Sequence, residues 1–190
     1  MPVPFHLSVF TQTFLLLACA LSRASAVEPA PYDPLAAPAI NAVVTQDFTV
    51  TDRARSRDIP IRVYTLPDTK NAPLLLFSHG LGGSRENGVY LGQHWAARGY
   101  VCVFMQHAGS DESVWKDAGR FQRMKAMRDA ASGENLMLRV KDVPAVIDQL
   151  TLWNQEQGHF LAGRMDLAHI GMSGHSFGAV TTQAVSGQVA

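Results

Sequence analysis

Apolar positions along this chain follow two different rhythms. Over residues 43–50 and again over 59–66, apolar and polar side chains alternate and many are β-branched, which predicts two strands pairing antiparallel. Residues 74–77 and 101–105 are instead unbroken apolar runs, the pattern of strands buried on both faces of a parallel sheet. Between them residues 87–98 read as a helix closed by Gly99. Residues 113–131 are mixed and charged and read as helical and partly exposed. Residues 136–153 form the strongest helical pattern: Leu138, Val143, Val146, Ile147, Leu150 and Trp153 recur at threes and fours, with Lys141 and Asp142 assigned to other faces. Pro144 falls early in that pattern and is expected to mark a kink or a first turn. A short strand over 167–172 and a helix over 177–185 complete the series. Strands alternating with helices predict an α/β fold with a mostly parallel sheet and flanking helices.

The first residues follow neither rhythm. Residues 7–21 are largely apolar but interrupted by Ser8, Thr11, Gln12 and Thr13, and the strongly apolar part, 14–21, is too short for a spanning helix of about 20 residues. Ala24-Ser25-Ala26 then supplies the small-x-small pattern of signal-peptidase cleavage before Val27. Residues 1–26 are therefore expected to be a signal peptide and the protein to be secreted or periplasmic. The Pro- and Ala-rich residues 27–42 read as a linker, and 43–190 as a folded domain. Leu16-Leu17-Ala18-Cys19 offers the alternative of a lipoprotein anchored at Cys19.

Composition narrows the class. Hydrophobic residues make up 47% and charged residues 17%, which excludes a disordered polar chain. Lys+Arg and Asp+Glu are both 16, so no basic excess points to a nucleic-acid partner. Cys19 and Cys102 are the only cysteines, too few for a disulfide framework or a four-cysteine zinc site. Cys102 lies inside the 101–105 run and reads as a small buried hydrophobe. No two histidines show metal-ligand spacing, and neither a metal nor a cofactor is expected.

Candidate chemistry concentrates in Gly174-His175-Ser176-Phe177-Gly178. A serine hydroxyl becomes a useful nucleophile when a tight turn exposes it, aligns it with a base and places it where an oxyanion can be stabilised. A strand directly before the turn (Ile170-Gly171-Met172-Ser173) and a helix directly after it are the context this motif requires. The flanking glycines are expected because a Cβ there would collide with neighbouring backbone. The start of the following helix adds a field favourable to a developing anion. A second Gly-rich segment, Ser78-His79-Gly80-Leu81-Gly82-Gly83, follows the buried 74–77 run and can present backbone N–H groups. It matches neither a dinucleotide nor a P-loop phosphate pattern.

Phe77 to Gly82, Arg98-Gly99-Tyr100-Val101-Cys102-Val103 and Gly174 to Gly178 together resemble the secreted platelet-activating-factor acetylhydrolase group, and the related dienelactone-hydrolase-like and polyester-hydrolase-like serine esterases. The resemblance covers roughly residues 45–185. Met105-Gln106-His107 falls where those proteins carry an acidic-His pair, and residues 139–150 resemble their helix before the nucleophile strand. It implies an α/β-hydrolase fold, Ser176 as nucleophile, and the N–H groups of Leu81 and Phe177 as an oxyanion hole. His79, Gly80, His107 and His175 are placed as substrate-binding residues, with His79 also ordering its loop. The implied substrate is a small ester or lipid-like molecule, which makes lipid degradation a candidate process. Two departures bear on this: Ala179 stands where many relatives have a second glycine, and Ser176 replaces the cysteine of true dienelactone hydrolases.

The family triad runs Ser, acid, His in chain order. Residues 180–190 contain no Asp, Glu or His. The sequence is therefore expected to be the N-terminal part of an enzyme, inactive by itself, with residues 167–172 left as an apolar sheet edge. Upstream, His107 is the weak alternative base. A hydrolase-like domain that binds without catalysing is the competing reading, and a peptidase or thioesterase of the same fold is the other.

Overall fold

The computed structural model describes residues 40–188. The expected signal peptide and cleavage site, Cys19 and most of the expected linker lie outside the described residues. Residues Ile40–Ala42 form a single 3-10 turn that leads into the sheet.

Among the described residues five strands form one sheet in the order β1-β2-β4-β3-β5: β1 (Val44–Asp52), β2 (Arg57–Thr65), β3 (Ala72–Ser78), β4 (Val101–Met105) and β5 (Met165–Gly174). β1 and β2 pair antiparallel, as their alternation predicts, and β2 is antiparallel to β4. β4, β3 and β5 run parallel. The chain reverses between β1 and β2 through a 3-10 turn, Arg53–Arg55, whose entry Asp52 caps by accepting from Arg55 N. Ser56 follows in the left-handed region at φ 47°.

Among the described residues five helices flank the sheet: α1 (Val89–Ala96), α2 (Ser113–Lys116), α3 (Arg123–Ala130), α4 (Gly133–Gln155) and α5 (Phe177–Val185). The continuous apolar run of β4 is explained by burial on both faces. Val101, Val103 and Met105 pack with Val143, Val146 and Leu150 of α4, while Cys102 and Phe104 join Tyr64, Phe77 and Ala96 on the side of α1. Each face of the strand is sealed by a helix, so no polar position is tolerated between Val101 and Met105. α5 packs against β5, β3 and α4.

Several boundaries differ from the sequence expectation. α4 begins three residues earlier, because Ser132 caps it by accepting from Asn135 N at 3.1 Å. Pro144 is an exposed interior residue of that helix rather than part of its first turn. The 113–131 segment is two helices separated by an exposed break around Gly119–Phe121. Asp142, expected on an outer face of α4, is fully buried. Among the described residues no helix is long and apolar enough to cross a membrane.

Candidate active site

Parallel pairing sets where the site forms. Ser78, the last residue of β3, lies opposite Met105 on one side and Gly174 on the other. The loops leaving the C-terminal ends of all three strands therefore emerge side by side, as in other open α/β sheets.

The first of these loops is the turn from β5 into α5. Ser176 holds φ 52° and ψ −117°, a strained conformation for a residue with a side chain. The turn is so tight that its glycines have no substitute. A Cβ on Gly174 would sit 2.3 Å from Gly178 O, and one on Gly178 would sit 1.9 Å from Ser78 O. The turn is tied to β3 by His175 N donating to Ser78 O at 3.2 Å. Ser176 is exposed at the tip, and among the described residues its hydroxyl is bonded to no protein group.

The second loop is 79–83. His107 N donates to His79 Nε2 at 3.0 Å, so that nitrogen is an acceptor and the proton sits on Nδ1, which donates to Gly80 O at 2.6 Å. Gly83 N also donates to Gly80 O. A trans peptide carries its C=O and N–H in opposite directions, so pinning Gly80 O aims Leu81 N–H the other way. Gly82 N donates to Ser110 O, and Trp115 Nε1 donates to Gly82 O, both within 2.8 Å. Gly80 approaches the turn so closely that a Cβ on it would meet His175 Nδ1 at 2.9 Å. The N–H groups of Leu81 and Phe177 are among those in these two loops that bond no protein acceptor among the described residues. Phe177 is the first residue of α5, where the helix field favours negative charge.

A cavity of about 640 Å³ opens beside Ser176, with Gly80, Leu81 and His175 at its polar end. Its other wall is apolar and aromatic, from Phe77, Tyr90, Leu91 and Trp95. These wall residues of α1 were not singled out by sequence, where Asn87–Arg98 reads only as a helix.

Two sequence assignments need correction. His107 does not face the cavity. It is fully buried, with Nδ1 donating to Asp142 Oδ2 at 2.9 Å and Nε2 accepting from the Ser78 hydroxyl at 2.9 Å. His79 is also fully buried, and both its ring nitrogens are engaged inside the loop. His79 is among the residues lining the cavity, but both ring nitrogens already have partners within the fold. Burial is the main reason both imidazoles stay neutral, pushing His79 down to about 3 and His107 down to about 4. Neither can serve as a base for Ser176.

Beneath the loops lies a charged cluster that sequence reasoning missed. Asp142 accepts from Arg55 Nη1, from Arg57 Nε and Nη2, and from His107, all at 2.8–2.9 Å. Burial works to raise its pKa, but these donors outweigh that and hold it below the usual carboxylate range. Arg139, one turn earlier on α4, is also fully buried. The signal was present in the sequence: Arg139 stands four residues before Val143 and seven before Val146, on the apolar stripe itself. Among the described residues no three His, Cys, Asp or Glu side chains gather as a metal site.

Residues 55–157 match the family described as platelet-activating factor acetylhydrolase, isoform II, which is more than half of the chain. The chain belongs to this family. No curated protein matches the sequence. Among solved structures, a ferulic acid esterase from Streptomyces cinnamoneus superposes with a TM-score of 0.56 at 23% identity, covering 80% of this chain and 57% of that one. A protein assigned as a dienelactone hydrolase, from Klebsiella pneumoniae subsp. pneumoniae, gives 0.57 at 12% identity, covering 76% and 55%. A cold-adapted esterase from an Arctic intertidal metagenomic library gives 0.52 at 13% identity, with the same coverage. The chain thus spans a little over half the length of these structures. They establish the α/β-hydrolase fold.

Proposed function

We propose that this chain carries the nucleophile and oxyanion-stabilising half of a serine carboxylic-ester hydrolase. The observation that carries the reading is the strained, exposed Ser176 placed beside the unbonded N–H groups of Leu81 and Phe177. Ser176 Oγ attacks the ester carbonyl carbon while its proton passes to a general base. The carbonyl oxygen becomes an oxyanion that Leu81 N–H and Phe177 N–H receive. Such preorganised donors are strongest in a site that excludes water. Collapse of the tetrahedral intermediate breaks the ester C–O bond and releases the alcohol, leaving an acyl group on Ser176. Water then attacks that acyl group by the same route and frees the acid.

His79 and His107 are both spent inside the fold, so the general base is a different residue. The aromatic and aliphatic wall of Phe77, Leu81, Leu91 and Trp95 suits the hydrocarbon part of a small or lipid-like ester. Export through the leader at residues 1–26 belongs to the same reading, and would bring the enzyme to ester substrates outside the cytoplasm.

The test is labelling with a fluorophosphonate together with turnover of short-chain p-nitrophenyl esters, using the complete gene product. Ser176→Ala is expected to abolish labelling and to lower turnover by at least about 10³-fold, since the covalent route is lost. A native protein that neither labels nor turns over esters would instead favour a hydrolase-like binding domain. Retention of most activity in Ser176→Ala would refute the assignment.

A further inference from the structure

We propose that Arg139 is a positioning residue for the chemistry at Ser176: its guanidinium fork sets the spacing of the two oxyanion donors by bonding the separate elements that carry them. The inference rests on the esterase reading given above. Leu81 N–H sits on the loop after β3, whereas Phe177 N–H sits at the start of α5, so their relative position depends on whatever joins those elements. Arg139 belongs to neither. It reaches from α4, with Nε donating to Thr181 Oγ1 on α5 at 3.0 Å. Nη2 donates to Ser78 Oγ at 3.0 Å and to His79 O, at the root of the Leu81 loop. Nη1 donates to Ser110 Oγ at 2.9 Å, and the backbone O of that same serine holds Gly82 N–H. The guanidinium carbon also lies 4.8 Å from the centre of the Phe177 ring. One side chain thus touches both the root of the Leu81 loop and the helix that carries Phe177.

Its bonding partners are unusual for a buried cation. All four acceptors are neutral hydroxyl or carbonyl oxygens. The nearby carboxylate of Asp142 is instead occupied by Arg55, Arg57 and His107. A fully buried charge without a directly bonded carboxylate is a poor way to gain stability, since an apolar side chain could fill the same space at lower cost. What an apolar residue cannot do is hold three directions at once in a fixed plane, which the fork does. Burial lowers Arg139 to about 10, so it remains cationic at neutral pH. A lysine keeps that charge but offers a single point instead of a fork.

Arg139→Lys and Thr181→Val are the informative variants, measured in the complete enzyme with p-nitrophenyl acetate and with phenylboronic acid as a tetrahedral analogue. Thr181→Val removes the α5 acceptor, together with that hydroxyl's own bond to Phe177 O, and keeps the volume. Both substitutions are expected to lower kcat, Lys by about 10–100-fold and Val several-fold, with KM changed by less than about threefold. Phenylboronic acid affinity should fall in step with kcat. The double variant should be scarcely worse than Arg139→Lys alone, because both changes cut the same link. Should Arg139→Lys fail to fold, Thr181→Val decides. Unchanged kcat in a folded variant, full retention of kcat by lysine, or a loss expressed only in KM would overturn the inference. If Ser176→Ala silences the enzyme while these variants do not, the esterase reading survives and this inference alone falls. If Ser176→Ala stays active, the esterase reading falls first.

Discussion

Acidification from pH 7 to pH 5 should remove about 4 kcal/mol of folding stability, and the two buried histidines are the reason. In the folded protein His79 lies at about 3 and His107 at about 4, chiefly because burial disfavours the imidazolium. Their hydrogen bonds reinforce this: Nε2 of each ring must accept, from His107 N–H and from the Ser78 hydroxyl respectively. In the unfolded chain both return to an ordinary value near 6.5. At pH 5 each unfolded imidazole is about 97% protonated while each folded one remains neutral, so each contributes about 2 kcal/mol in favour of unfolding. The folded values lie below the unfolded ones, so the unfolded state binds more protons throughout this window. Stability is complete above pH 6.5 and declines as pH falls toward 4. Because neither ring is charged in the folded state at pH 5, their mutual coupling does not alter the sum. The depressed carboxylates Asp47 and Asp142 have an ordinary value of 3.8 and contribute little above pH 5. A loss of 4 kcal/mol is a large part of the roughly 5–15 kcal/mol typical of a domain. Urea denaturation at pH 7, 6 and 5 measures it as a falling midpoint with an unchanged slope. Imidazole nitrogen NMR at pH 5.5 should show both rings neutral with the proton on Nδ1. Stability unchanged between pH 7 and 5, or either ring titrating near 6.5 in the folded protein, would refute the reasoning.

Asp142→Asn should destabilise the protein by about 3–5 kcal/mol, because it leaves the guanidinium groups of Arg55 and Arg57 without their buried carboxylate; urea denaturation at pH 7 reads this directly, and a change below 1 kcal/mol would contradict the buried-pair account. N-terminal sequencing of the exported protein should begin at Val27. An intact Met1 on a cytoplasmic product would refute export, and a lipidated Cys19 would establish the anchored alternative.

What could be read from sequence was what local pattern controls. The bounds of β4 and α5 match the expectation to the residue, since an unbroken apolar run between Tyr100 and Gln106 and a helix starting directly after Ser176 leave little latitude. The tight turn at Ser176 was equally legible, because its two glycines are required by contacts within the turn and with the adjacent strand end. What stayed hidden depends on residues distant in the chain. Arg139 and Asp142 are charged, and on a helical wheel a charge is assigned to solvent. Their burial follows only once Arg55 and Arg57, some 85 residues earlier, and Ser78, 61 residues earlier, are brought alongside. His107 misled for the same reason. A histidine after a parallel strand is well placed to line a pocket, but Asp142 and Ser78 turn its ring downward into the protein.

The same charges link the pH behaviour to the proposed chemistry. Arg55 is paired with Asp52 as well as with Asp142, and Arg57 with Asp142, while Arg139 has no directly bonded carboxylate. Asp142 and Asp111 act on Arg139 only from a distance, and its charge is held where water screens it little. Arg139 adds to burial, the larger cause, in lowering both His79 and His107. It acts in the opposite sense on an oxygen gaining negative charge between Leu81 and Phe177, which it would stabilise. An imidazolium in this place would have to compete with Arg139, and an oxyanion would not. The buried histidines are thus suited to staying neutral and holding the loop, and in the proposed mechanism the proton of Ser176 passes to neither of them.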